Sequence, residues 1–415
     1  MIETKFKQTE LGLVPKAWGT PTIDELIVAM NDGPFGTKLK QEHYTTKREV
    51  RIVQLGNIGE NGWNDSNVKY TTFEYAKVLS SHLVNPGDVL IAKMMPAGRS
   101  IICPNHEACF IQGSDAIKVR FNDSINTQYF IYGTKNCEYL RIIEENTQGS
   151  TRQRISLTKY RTLPFIVPPI EEQVRIAEAL SDVDKLIREL DTLIEKKRSI
   201  MQGAMQDLLT ARRRLPGFSQ PWCQTQLKRL VSMNSGGTPS TAESSYYGGN
   251  IPFLSISDIT SSGKFLKYTT KSITQLALEN TSARLFRKGT LVLSMYASIG
   301  KVCFVDTEVA ISQAILGFCP IESNLDINFL YYMLLFSKED LANSGQTGTQ
   351  SNLNKNIVQN YTISLPHTKE EQTAIASILS DMDAEIEELE AKRDKYIAVR
   401  QGMMQQLLTG KIRLI

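Results

Sequence analysis

The sequence predicts an α+β chain: two mixed α/β globular domains separated by two long helices that pair as an antiparallel coiled coil, with an internal pseudo-two-fold repeat. Three observations predict it. QGAMQDLLT at 202–210 returns as QGMMQQLLT at 401–409. Short β-type runs stand between glycines, prolines and asparagines in both halves, and apolar residues at alternating steps of four and three lead into each copy of the repeated nonapeptide. A chain of 415 residues also exceeds one typical core, so several domains are expected.

The first globular domain is expected over 1–160, where RIVQLGNI (51–58) and GDVLIAKMMPAGR (87–99) read as strands and turns. The first long helix and its linker follow over 161–215, with the proline loop PFIVPP (164–169) leading into the helix. Its seam is Val183, Ile187, Leu190, Ile194, Lys197, Met201, Ala204 and Leu208, the spacing of a coiled coil. The second globular domain is expected over 216–360, with PFLSISDI (252–259) and GTLVLSMYASIGK (289–301) parallel to the first-domain runs and INFLYYMLLFSKEDLA helical. The second long helix is expected over 361–415, with a seam of Met382, Ile386, Leu389, Arg393, Tyr396, Arg400, Met403 and Leu407. Thr368 and Glu371 have capping-box spacing, and Gly410 with Lys411 and Arg413 closes that helix.

The helical copies match at a fixed offset of 199: Glu172-Gln173 with Glu371-Gln372, Leu180-Ser181-Asp182 with Leu379-Ser380-Asp381, and Leu208-Leu209-Thr210 with Leu407-Leu408-Thr409. Each helix, about 39 residues at 1.5 Å apiece, spans roughly 58 Å and needs a partner along its length. The other copy supplies one, and antiparallel closure is expected to hold the domains at opposite ends. Gly203 and Gly402 each cost a helix about 1 kcal/mol relative to alanine. They are therefore expected to mark close contacts between the helices, or between a helix and another subunit.

Composition narrows the function classes. A net charge of +3 is too small to announce nucleic acid by itself, so any basic patch must be located by position. Six cysteines without a CxxC pair and an opening without an apolar leader point to a reducing, cytoplasmic location. No apolar run reaches membrane-span length. Cys103, His106 and Cys109 stand three apart, but zinc needs a fourth ligand and the second half has no counterpart, so ordinary thiols are expected. The chain has neither an Asn/Asp-Pro-Pro-Tyr/Phe motif for a flipped adenine nor a GxxxxGK[ST] phosphate loop, and an acidic cluster such as Asp184 with Glu195 and Lys197 falls on a helix whose exposed face is expected to carry solvated charges. No catalytic or metal site is expected. A stand-alone DNA-modifying enzyme is the weaker alternative; a coiled-coil scaffold that ignores DNA would not need the basic loops in the globular domains.

The paired helical segments EEQVRIAEALSDVDKLI and EEQTAIASILSDMDAEI, the segments GSTRQRISL and GTQSNLNKN, and SGGTPSTAESSYYGGNIPFLSISDI opening the second domain resemble the DNA-specificity subunits of Type I restriction-modification systems. The resemblance implies a non-catalytic subunit with two target-recognition domains that read a bipartite, asymmetric site in double-stranded DNA. It further implies two adenine-methyltransferase subunits and, in full systems, endonuclease/translocase subunits as partners, with no membrane. No cofactor is expected on this chain; S-adenosylmethionine, ATP and Mg are implied for the partner subunits.

Phosphate contacts call for Lys and Arg, and base edges for Arg, Lys, Asn, Gln, Ser and Thr on loops. In the first domain the densest set is Lys38, Lys40, His43, Tyr44, Thr45, Thr46, Lys47 and Arg48, followed by Lys93, Arg99 and the cluster Arg152, Gln153, Arg154. In the second it is Thr238, Ser240, Tyr246 and Tyr247, then Ser298 and Lys301, with Gln346, Thr349, Gln350, Asn352 and Lys355 as weaker choices. Trp18 and Trp222, alike in position, are expected to pack against the helices rather than stack on bases.

Overall fold

Buried runs such as Val50–Val53, with every residue inside, require sheets covered on both faces. In the computed structural model, which describes residues 5–34, 38–149, 153–321, 324–344 and 353–415, the chain divides into two units. One comprises 1–191 with 392–415, the other 192–391. Both are α+β.

In the first unit a four-stranded sheet runs Ser100–Ile102, Val89–Ala92, Ala116–Phe121, Ile27–Asp32. A five-stranded sheet runs Tyr44–Thr45, Tyr70–Thr71, Val50–Val53, Phe110–Gln112, Leu83–Val84, and its Val50–Val53 and Phe110–Gln112 strands are parallel. Helices Thr127–Gly133 and Cys137–Glu145 begin at Asn126 and Asn136, whose side chains accept the orphan amides of Tyr129 and Glu138. They bury Tyr129, Phe130 and Tyr139 with Trp18, Phe165 and Leu180.

The second unit repeats the plan. Val231–Ser235, Ile315–Pro320, Leu291–Ser294 and Val302–Val305, with Phe265–Leu266 added at the edge, form the counterpart of the four-stranded sheet. Lys271–Ile273, Tyr247–Leu254, Val309–Ile311 and Leu285–Phe286 form the counterpart of the other, again with one parallel pair. Helix Ile327–Phe336, capped by Asp326, is apolar nearly all round because Phe329, Leu330, Tyr332 and Leu334 are all buried.

The two long helices are Ile170–Leu209 and Lys369–Leu407, and each unit holds a stretch of both. In the first unit Arg400 meets Asp184 at 2.9 Å and Arg393 meets Asp191 at 3.6 Å. In the second Lys197 meets Glu385 at 2.6 Å and Arg198 meets Glu390 at 2.5 Å. In the first unit rising numbers on one helix meet falling numbers on the other, so the pairing there is antiparallel. Of the expected seam, Ile187, Leu190, Ile194, Met201, Leu208, Ile386 and Leu407 are buried. Val183, Met382, Leu389, Tyr396 and Met403 are half-buried.

Of the two expectations for the glycines, a close contact between the long helices is not met. Gly203 and Gly402 are exposed, and a Cβ added at either meets nothing within 4 Å. Neither is a close contact between the two helices.

The capping box at the second helix is half made. The Glu371 amide donates to Thr368 Oγ1 at 3.5 Å, but the Glu371 carboxylate is drawn to Arg214 instead of back to the cap. At the other end Gly410 takes φ +68 and donates to the Leu407 carbonyl, a left-handed stop.

Candidate nucleic-acid interface

The loop before strand Tyr44–Thr45 is held from behind and charged in front. Lys40 caps a short 3-10 turn, Gln41–His43, and its amide donates to His43 Nδ1 at 3.0 Å. The His43 ring stacks on Tyr75 with centroids 4.0 Å apart, and Tyr75 Oη donates to the Lys38 carbonyl. Thr71 Oγ1 donates to the His43 carbonyl, while Tyr44–Thr45 pairs with Tyr70–Thr71. This backing leaves Lys38, Lys40, Thr46, Lys47 and Arg48 exposed, with His43, Tyr44 and Thr45 half-buried beside them. The predicted cluster is thus brought together on one loop and strand.

Two carboxylates that the sequence reading passed over sit beside it. Arg48 donates to Glu107 at 2.9 Å and Tyr70 Oη to the same carboxylate at 2.9 Å. Burial works against ionised Glu107, but Arg48 and Tyr70 outweigh it and hold the carboxyl below its usual range. Arg51 is buried against Trp63 and Tyr70, reaching Asp65 at 3.4 Å. No sequence spacing signalled these pairs, since Arg48 and Glu107 lie on separate strands' approaches.

Lys93 departs from the surface reading. It is 5% exposed, and its ammonium lies 2.7 Å from both oxygens of Asp32, tying strand Val89–Ala92 to Ile27–Asp32. An ammonium so placed does not reach a phosphate. Arg99 is half-buried, donates to the Pro96 carbonyl, and is lowered by burial. Arg154 is exposed, on a segment bridged to Gln148 and Met94, with Gln153 exposed next to it; Arg152 lies outside the described residues. Cys103 is buried, which pushes its thiol up to about 12, while His106 faces Asp65 at 3.6 Å.

In the second unit the corresponding loop is built differently. Gly236 and Gly237 thread where a Cβ would meet the Ile311 carbonyl at 1.6 Å and Ser282 at 2.3 Å, so only glycine fits there. The loop then presents Thr238 and Ser240 to solvent and leads to the 3-10 turn Ser244–Tyr246, the counterpart of Gln41–His43. Tyr246 and Tyr247 are half-buried, with Tyr247 Oη on the Pro239 carbonyl at 2.6 Å. Ser298 and Lys301 converge on Thr260, at its hydroxyl and carbonyl respectively. Gln346, Thr349, Gln350 and Asn352 lie outside the described residues. Lys355 begins helix Lys355–Asn360.

Each globular domain is fastened to its helices by the same three-residue clasp. Glu172 accepts Arg413 at 2.7 Å on both oxygens and the Trp18 indole at 3.0 Å. Glu371 accepts Arg214 at 2.7 and 2.9 Å and the Trp222 indole at 3.3 Å. Both tryptophans pack on the helices, as their positions suggested. Gln173 and Gln372 stitch the next turn, accepting the amides of Asn126 and Asp326. The arginines were legible as a repeat, 199 apart like the glutamates, but their partners were not.

The sequence pattern of the Type I restriction modification DNA specificity domain matches residues 15–197 and again 220–397. The chain belongs to that family. Among curated Type I specificity subunits, it is 22% identical to MjaX of Methanocaldococcus jannaschii over 99% of this chain and 97% of that one. It is 25% identical to MjaVIII of the same organism, over 71% of this chain and 72% of that one. The crystal structure of the S subunit from M. genitalium superposes with TM-score 0.62 at 15% identity, covering 94% of this chain and 96% of that one. A chain from a study of complex assembly and conformational transition in a Type I R-M system superposes with TM-score 0.57 at 17% identity, covering 96% and 99%. This specificity subunit therefore shares the fold over both repeats. Among its described residues no helix is long and apolar enough to cross a membrane.

Proposed function

We propose that this specificity subunit is non-catalytic and reads a bipartite, asymmetric DNA target, placing two adenine-methyltransferase subunits on it and, in a full system, endonuclease/translocase subunits as well. The observation that carries the reading is the contrast between equivalent loops. On sheets of the same plan, one unit presents Lys38, Lys40, Lys47 and Arg48 where the other presents Thr238, Ser240 and Tyr246. Loops of different chemistry on one framework read different bases, because lysine and arginine favour guanine and phosphate whereas hydroxyls accept several edges. Two unlike readers in one chain specify two unlike half-sites. The chemistry, with its S-adenosylmethionine, ATP and Mg, belongs to the partners.

Sequencing of modified adenines in cells with and without the gene tests this. A two-part, non-palindromic motif that loses modification on deletion supports the reading. An unchanged methylome, or loss confined to a palindrome, rejects it.

A further inference from the structure

Lysine is seldom found inside a protein, yet Lys264 is only 8% exposed. It stands at the entry to strand Phe265–Leu266, and its ammonium donates to Tyr332 Oη at 3.0 Å and Ser380 Oγ at 2.9 Å. Tyr332 Oη lies 3.3 Å from the Asp383 carboxylate, and the rings of Tyr332 and Tyr331 have their centres 4.7 and 5.3 Å from the ammonium. Taking an ammonium out of water is costly, so a lysine stays in such a place only where hydroxyls, a carboxylate and ring faces replace the water it gives up. Ser380 and Asp383 belong to the long helix Lys369–Leu407 and Tyr332 to helix Ile327–Phe336, whereas Lys264 belongs to the strand half of the globular domain. One side chain therefore ties the strands to the long helix.

The first unit has the receptor without the lysine. Tyr132, Ser181 and Asp184 repeat Tyr332, Ser380 and Asp383, with Tyr132 Oη 2.7 Å from Asp184 and 3.3 Å from Ser181 Oγ. GNIGENGW (56–63) matches SDITSSGK (257–264) at the offset that also relates RIVQLGNI to PFLSISDI, so Trp63 stands in the place of Lys264. The Trp63 indole turns to Asp65 of its own domain at 2.7 Å, and the cation on Asp184 is Arg400, from the other long helix. Between Asn61–Trp63 and the trio Tyr132, Ser181 and Asp184 a cleft of about 280 Å³ is left open. The same receptor thus joins helix to helix in one unit and strands to helix in the other.

We propose that Lys264 is a positioning residue: it fixes the angle at which the second reader sits on its helix, and through that angle the spacing of the two-part target. The proposal rests on the specificity reading above. The Glu371 clasp holds the domain at one level of the helix, and Ser380 lies roughly 14 Å further along it. The lysine supplies this second level and removes the freedom of the strands to rock about the first. The turn it anchors also bears on the candidate DNA face, because Thr260, four residues earlier, collects Ser298 and Lys301. A reader oriented beforehand loses little entropy on docking and rejects a half-site displaced by one base pair.

Methylome sequencing of cells that carry the full chain, its cognate methyltransferase and a library of targets differing in spacer length tests the tie. The wild type is expected to modify one spacer length. Lys264→Met is expected to keep both half-site sequences and to raise modification at spacers one base pair longer or shorter by about tenfold. Lys264→Arg is expected to restore the single spacer, and Asp383→Asn, which weakens the tie from the helix side, to fall between. Strict spacing in both Lys264→Met and Asp383→Asn, or relaxed bases in place of relaxed spacing, overturns the proposal. Equal loss at every spacer in both variants assigns the lysine to stability alone and also overturns it. Thermal melts identify a Lys264→Met chain that has not folded, and Asp383→Asn then decides. A wild type without a two-part motif sinks the specificity reading instead, and hydrogen exchange over 257–266 then judges the tie: faster exchange in Lys264→Met keeps it, and unchanged exchange removes it.

Discussion

At the scale of single residues, the two copies solve the same local problem with different means. Gly410 ends its helix at φ +68, and the equivalent residue of the first copy, Ala211, is held at φ +57. The left-handed region costs a residue with a Cβ about 1–2 kcal/mol, while glycine's freer unfolded chain returns roughly 0.5–1 kcal/mol of that. Ala211→Gly is therefore expected to stabilise the second unit by about 0.5–1 kcal/mol in urea unfolding; a destabilisation would show that the methyl group packs. The clasp at Glu172 makes a larger claim. Burial opposes its charge, but Arg413 and the Trp18 indole outweigh that and depress its pKa. A carboxyl depressed in the folded state lends stability that is full above its unfolded value and fades as pH falls below about 4.5. Arg413→Ala leaves a buried carboxylate unpaired, so a loss of about 3 kcal/mol is expected at pH 7, shrinking toward acid in melts recorded between pH 3 and 7. A loss independent of pH would mean packing, not charge, does the holding. Lys93 shows the limit of reading at this scale. Its residue type suggested a phosphate contact, and only the fold reveals Asp32, 61 positions away, against its ammonium.

Among elements, the long helices were the most legible, since a period of seven is written locally and survives the divergence of everything attached to it. The half-buried edge of the seam was less so. Leu193, 38% exposed, and Ile194, 1% exposed, are adjacent and equally apolar, and only the 3.6-residue turn separates their fates. Ile194→Ala is expected to cost about 2–4 kcal/mol, whereas Leu193→Ala stays within roughly 0.5 kcal/mol. Denaturant titration read by amide exchange in 192–391 distinguishes them, and equal costs would refute the assigned facing. The sheets were legible as runs but not as partners: parallel pairing of Val50–Val53 with Phe110–Gln112 joins segments far apart in sequence. The expected capping box was only half made for a related reason, because the Glu371 carboxylate had a distant arginine to satisfy.

For the molecule as a whole, duplication was plain from the sequence, and with it the prospect of exchanging parts. Replacing 216–360 with the matching segment of another family member is expected to change one half-site and leave the other as it was, as read from the methylome; alteration of both would show that the readers are coupled. What the sequence did not disclose is how the halves are laced. The second unit is one continuous stretch, 192–391, whereas the first is completed only by 392–415, whose Arg413 grips Glu172. The ribosome therefore releases the earliest-made domain unfinished, and the later-made one is free to close before it. A nick or frameshift within 392–415 strikes a unit most of which was made long before.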